Sequence, residues 1–207
     1  MSLVVINATT PAGARIALRA VDGLIEAIGD GVGAEAGDDV IDAGGDVLVP
    51  GLVNGHTHAA MTLFRGFGSD LPLMEWLEAK IWPAEARLTD DDVYWGTRLA
   101  CAEMIRSGTV RFWDMYWRPA QVARAVWDAG LRATVGPPLL DGLDASRSKR
   151  ACAVAADALD VVSDFAPMVQ GSLAPHGIYT VSAESLRWVA EQSAARDVHV
   201  HIHFLET

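Results

Sequence analysis

From residue 52 onward the sequence alternates short apolar runs with amphipathic helical patterns, and few folds accommodate that alternation. Strand, helix and strand in succession form a parallel sheet covered by helices. The runs are Leu52 to Gly55, Thr109 to Trp113, Leu131 to Val135, Met168 to Leu173 and Val198 to Phe204. Between them a helical stretch from Leu71 to Arg87 breaks at Pro83. A second helix opens at Thr89, with Asp92 placed for a capping box, and stops at Ser107 and Gly108. Pro119 starts a third, lined by Val122, Val126 and Ala129 and closed by Gly130. Cys152, Ala155, Leu159 and Val162 mark the buried stripe of a fourth, and Ser182 caps a fifth with Leu186, Val189, Ala190 and Ser193 facing inward. Ahead of this, residues 1 to 50 are β in pattern: Leu3 to Ile6, Ile16 to Val21 and Leu24 to Ile28, with Asp22-Gly23 as a hairpin turn. Asp42 to Asp46 turns again before Val47 to Val49.

An α/β sheet presents its chemistry at the carboxyl ends of its strands. His56 with His58, Asp114, His176 and Glu206 all follow strands in this way. His56 and His58 are two apart, so an extended strand turns both to one face, where neutral imidazoles grip a single ion. The same spacing also fits a His-rich strand end that holds no ion. His199, His201 and His203 alternate likewise, and only His203 reaches the strand end where the first pair converges, making it the third ligand. His201 reads as a hydrogen-bonded interior histidine and His199 as a pore-base or surface residue. Glu206, three residues past His203, can take a proton from ion-activated water and pass it to a leaving group; alone it would read as a helix-start carboxylate. Asp114 reads as a group that caps or orients its neighbours.

Composition closes off other classes. With a net charge of -11 and only Lys80 and Lys149 as lysines, a phosphate backbone is repelled, so nucleic acid is not an expected partner. No run of about 18 apolar residues exists, so no membrane span is expected. The N-terminus lacks a basic region and a cleavage pattern, and Cys101 with Cys152 builds no disulfide framework; a cytoplasmic protein is expected.

Pro50 to His58, Met61-Thr62-Leu63-Phe64-Arg65-Gly66, Leu73-Met74-Glu75-Trp76-Leu77, Ile81-Trp82-Pro83-Ala84-Glu85 and Glu103 to Thr109 form an ordered series. It continues through Asp114-Met115-Tyr116, Ala174-Pro175-His176-Gly177-Ile178-Tyr179-Thr180 and His203-Phe204-Leu205-Glu206-Thr207. Together these closely resemble the amidohydrolase superfamily, nearest its 5-methylthioadenosine/S-adenosylhomocysteine deaminases, with the triazine hydrolases alongside. The resemblance implies a TIM-like (β/α)8 barrel, here its first five β/α units over residues 51–207, with a small N-terminal β-sandwich module begun by residues 1–50. It implies one divalent ion, zinc or iron, held by His56, His58 and His203, with Glu206 as proton shuttle. It further implies that Glu85 accepts hydrogen bonds from a ribose diol and that His176 contacts substrate; Trp82, beside Glu85, is the tryptophan allowed near an aromatic substrate.

The expected activity is hydrolytic deamination of an adenine nucleoside of the methylthioadenosine, adenosine or S-adenosylhomocysteine type. The partner is thus a small heterocyclic or nucleoside substrate, and a homo-oligomer is compatible with it. The alternatives are hydrolysis of another heterocycle, triazine, guanine or cytosine-like, or a non-catalytic truncated barrel serving as scaffold. Two departures qualify the resemblance. Where homocysteine-tolerant deaminases carry an arginine after the third strand, this chain has Gly136-Pro137-Pro138, leaving Arg147 or Arg150 to substitute. The family also needs a histidine after strand six and an aspartate after strand eight. The sequence is therefore expected to be a partial record, or truncated product, of a chain about twice as long, inactive by itself.

Overall fold

Asp22 and Gly23 both adopt left-handed backbone, φ 50° and 81°, which is what a two-residue turn between right-twisted strands demands. A computed structural model describes residues 1–206. The turn joins β2 (Arg15–Val21) to β3 (Leu24–Gly29), while β1 (Ser2–Thr9) pairs antiparallel with β2 and parallel with β4 (Asp39–Asp42), giving the order β3-β2-β1-β4. β4 was not legible in the sequence, because its residues are all exposed and acidic at both ends. Val47 to Val49, expected as a strand, contributes only an isolated bridge from Val47 to Thr9. Arg19 anchors this unit: its guanidinium pairs with Asp38 at 3.0 Å and Glu35 at 3.1 Å, and also with Glu26. Arg19 holds the Asp38 carboxyl well below the usual range.

The second compact unit begins at Leu52. Its strands β5 (Leu52–Thr57), β6 (Thr109–Met115), β7 (Arg132–Gly136), β9 (Val169–Pro175) and β10 (His199–Val200) lie side by side in sequence order, all parallel. A short β8 (Pro138–Leu139) also pairs with β9. Connecting them are α3 (Asp90–Arg106), α4 (Pro119–Ala129), α5 (Ala145–Ser163) and α6 (Ala183–Arg196). Parallel neighbours require such crossovers, and the curled sheet they produce is half of a (β/α)8 barrel.

Local chemistry sets the element boundaries. The Thr89–Asp92 capping box is formed, with Asp92 N–H donating to Thr89 Oγ1 at 3.2 Å and Thr89 N–H to Asp92 Oδ2 at 2.8 Å. Gly130, at φ 71°, ends α4. Pro83, lacking an N–H, follows a widened turn at Leu77–Ile81, flanked by the short helices α1 (Leu73–Trp76) and α2 (Trp82–Glu85). In α6 Ala190 faces solvent, contrary to the expected stripe, and Ser185 joins Val189 as a buried residue of the helix. Phe112, Val122, Val126, Val135, Val162 and Val169, each at most 1% exposed, seal the helices onto the sheet. The last strand is shorter than the expected Val198 to Phe204, although His201 and His203 still donate their N–H groups to Leu173 and His176 at 3.1 and 2.9 Å. No helix among the described residues is long and apolar enough to cross a membrane.

Candidate metal centre

Between the Asn54/Phe112 and Thr57/Asp114 pairs, β5 carries one residue more than β6. This bulge re-aims the strand end that bears His56. Here His56, His58 and His203 converge, with ligand nitrogens all within 4.8 Å of one another. Ring centroids are 5.4 Å apart for His56 and His58, 4.9 Å for His56 and His203, and 5.2 Å for His58 and His203. His56 on β5, His58 just after it and His203 three residues past β10 thus supply one donor set.

Several groups fix these rings. His58 Nδ1–H donates to the Met115 carbonyl at 2.7 Å, leaving Nε2 with its lone pair free. The turn after His58 is braced by Asp114, whose Oδ1 accepts from Ala59 N–H at 2.6 Å and Thr57 Oγ1–H at 3.0 Å. Asp114 is fully buried, and desolvation pushes its carboxyl up to about 7 against those two hydrogen bonds. Burial foremost, and then the neighbouring imidazoles led by His58, bring His203 down to about 4. A neutral imidazole is the form that ligates. Three imidazole donors without a counter-charge among them suit a borderline divalent ion such as zinc, so the donor set fits a metal.

Around the triad, His176 stacks edge-on against His203 at 4.9 Å. Thr180 Oγ1 donates to the Gly177 carbonyl at 3.1 Å and accepts from His176 Nδ1–H at 3.0 Å, which leaves His176 Nε2 with a lone pair. Burial also holds the His176 ring below the usual histidine range. The Glu206 carboxylate accepts a hydrogen bond from the Tyr179 phenol. Glu85 Oε2 accepts from Trp117 Nε1–H at 3.4 Å, and Trp82 opens α2 with its ring half exposed. His201 bonds Ser172 Oγ through Nδ1 at 3.2 Å, and His199 packs on Trp113 with centroids 5.4 Å apart; neither joins the triad. Arg147 is engaged by Asp144 at 3.3 Å. Sequence patterns did not single out Met115, Trp117 or Tyr179 as partners of site residues. Met115 acts through its backbone, invisible in sequence, whereas Tyr179 shares a motif with His176.

A half-barrel of parallel strands with a histidine triad at its carboxyl edge defines a barrel-type α/β protein with a cluster that could hold a metal ion. The sequence model of the amidohydrolase family matches residues 47–207, and the chain belongs to that family. It is 47% identical over 169 residues to a 5'-deoxyadenosine deaminase of Methanoregula boonei, covering 81% of this chain and 38% of the relative. It is 45% identical over 170 residues to 5-methylthioadenosine/S-adenosylhomocysteine deaminase 1 of Archaeoglobus fulgidus, covering 82% and 40%. Among solved structures, an adenosine deaminase from Xanthomonas campestris with bound zinc superposes with a TM-score of 0.80 at 33% identity, over 100% of this chain and 49% of the other. The chain thus spans two fifths to a half of the length of these relatives.

Proposed function

We propose that the protein carrying this chain is a zinc-dependent aminohydrolase of an adenine nucleoside, replacing the ring amine with oxygen and releasing ammonia. The observation that carries it is the gathering of His56, His58 and His203 within 4.8 Å of one another at the carboxyl edge of the sheet. Support for the substrate class comes from the relatives named for deamination of adenine nucleosides, and support for zinc from the imidazole donors and the zinc-bearing Xanthomonas structure. A divalent ion held there lowers the pKa of water to about 7.

The chain's own side chains do the rest of the work proposed here. His56, His58 and His203 hold the ion, His58 oriented by the Met115 carbonyl. Glu206 takes one proton from the attacking water and delivers it to a ring nitrogen, then takes the second from the hydroxyl newly bonded to the ring carbon and gives it to the amine, so the carbon–amine bond breaks, the ring carbonyl forms and neutral ammonia departs. His176, fixed by Thr180, orients the base. Glu85, held by Trp117, accepts from the ribose hydroxyls, and Trp82 covers the ring and excludes water. Residues 1–50 belong in this proposal to one layer of a small β-sandwich and residues 51–207 to the first part of the barrel. Two buried free thiols, Cys101 and Cys152, suit a reducing cytoplasm.

The test is ammonia release by the full-length protein supplied with 5'-deoxyadenosine, 5'-methylthioadenosine, adenosine, S-adenosylhomocysteine and a substituted triazine. Turnover of the first three is expected. S-adenosylhomocysteine should be poorer, because Gly136-Pro137-Pro138 offers its carboxylate no partner and Arg147 is already paired. A zinc-loaded protein that frees no ammonia from any adenine nucleoside would sink the proposal.

A further inference from the structure

The loop after β9 holds more than a substrate-facing histidine. Tyr179 lies across Gly177: a Cβ at Gly177 would stand 2.8 Å from Tyr179 Cε1, so the glycine makes the seat on which the phenol ring rests. The His176 ring meets the same phenol edge-on, with centroids 5.9 Å apart. From this seat the hydroxyl donates to Glu206 Oε2.

The loop itself is pinned from below. Gly142 N–H donates to the Thr180 carbonyl at 3.0 Å, and Thr180 N–H closes back on the Gly177 carbonyl at 3.1 Å. Two residues past Thr180, Ser182 donates its N–H at 2.8 Å and its Oγ–H at 2.6 Å to Asp141, which also accepts from Ser185 Oγ–H at 2.7 Å and Leu143 N–H at 3.0 Å. Asp141 is 2% exposed, and a buried carboxylate with four donors is a rigid anchor. The opposite end of the loop is tied by His176 N–H to the Leu139 carbonyl at 3.1 Å. With both ends fixed, the phenol has little freedom to leave Glu206.

We infer that Tyr179 is a positioning residue whose phenol holds Oε2 of Glu206, so that Oε1 is the oxygen that carries the proton. This rests on the proposed proton-carrying role of Glu206. A carboxylate on a flexible side chain otherwise rotates both oxygens through the site, and one fixed donor selects a single orientation.

The experiment compares Y179F, E206Q and the double variant in the full-length protein, with 5'-methylthioadenosine as substrate and zinc content measured for each. Y179F is expected to lower kcat by about 10- to 100-fold, the usual cost of losing an orienting partner, with KM within about twofold. Zinc per chain should not change. In the E206Q background the Y179F change should have no further effect on the residual rate, because the phenol then has no carboxylate to orient. An unchanged kcat in Y179F, a rise in KM alone, loss of zinc, or additive effects in the double variant would each overturn the inference. If instead E206Q keeps the full rate, it is the proton-carrying role of Glu206 that fails.

Discussion

Burial, ahead of the charge of His58, sets the protonation of His201 and His203, each brought down to about 4 from an ordinary value of 6.5. Between those limits the unfolded chain binds protons that the folded chain refuses, so stability is present above about 6.5 and is lost as pH falls toward 4. In the metal-free protein the urea midpoint should therefore fall between pH 7 and pH 5, and H201Q should shrink that fall. A midpoint that stays flat over this window would contradict the assignment. For the triad, H203A is expected to abolish stoichiometric zinc binding by metal analysis, and H199A to leave it unchanged. E206Q should retain zinc while losing about 100- to 10,000-fold in kcat, the range of a removed general acid–base group. Retained zinc with lost turnover separates a proton carrier from a ligand.

At the scale of elements, close approaches of backbone decide where the ligands sit. Gly96 of α3 lets the turn Ala59–Phe64 rest on the helix, since a Cβ there would stand 2.7 Å from the Ala60 carbonyl oxygen. That turn starts directly after His58, and Thr62 Oγ–H donates to the Gly96 carbonyl at 2.7 Å. G96A should destabilise by about 1–3 kcal/mol in denaturant unfolding, as overpacking does, and should weaken zinc affinity as well. Wild-type zinc affinity in G96A would show that the turn does not govern His58. Similarly, D141A strips an acceptor from Ser182 and Ser185 at the start of α6 and from Leu143 just ahead of α5, and a loss of about 3 kcal/mol is expected from buried donors left unpaired. The element boundaries themselves were largely legible: capping at Thr89, the Asp22-Gly23 turn and the stop at Gly130 are local chemistry. β4, and the short extent of β10, were not, because pairing depends on partners far along the chain.

Over the whole molecule, an ion that binds only the assembled triad must stabilise the fold. At free zinc one hundred times its dissociation constant the gain is about 2.7 kcal/mol, so a chelator should lower the melting temperature and H58A should remove the zinc-induced rise. A melting temperature indifferent to zinc would argue against a preformed site. The sequence by itself determined the β/α alternation, the placing of polar residues after strands, and the residue types suited to a divalent ion, because periodicity and side-chain chemistry are local properties. Strand alternation had already singled out His203 over His201 and His199, but only the tertiary structure brought its ring to His56 and His58, let Met115 fix the His58 tautomer and let Tyr179 reach Glu206. Those outcomes depend on strand register, on one bulge in β5 and on backbone groups from distant segments, none of which any short stretch of residues encodes.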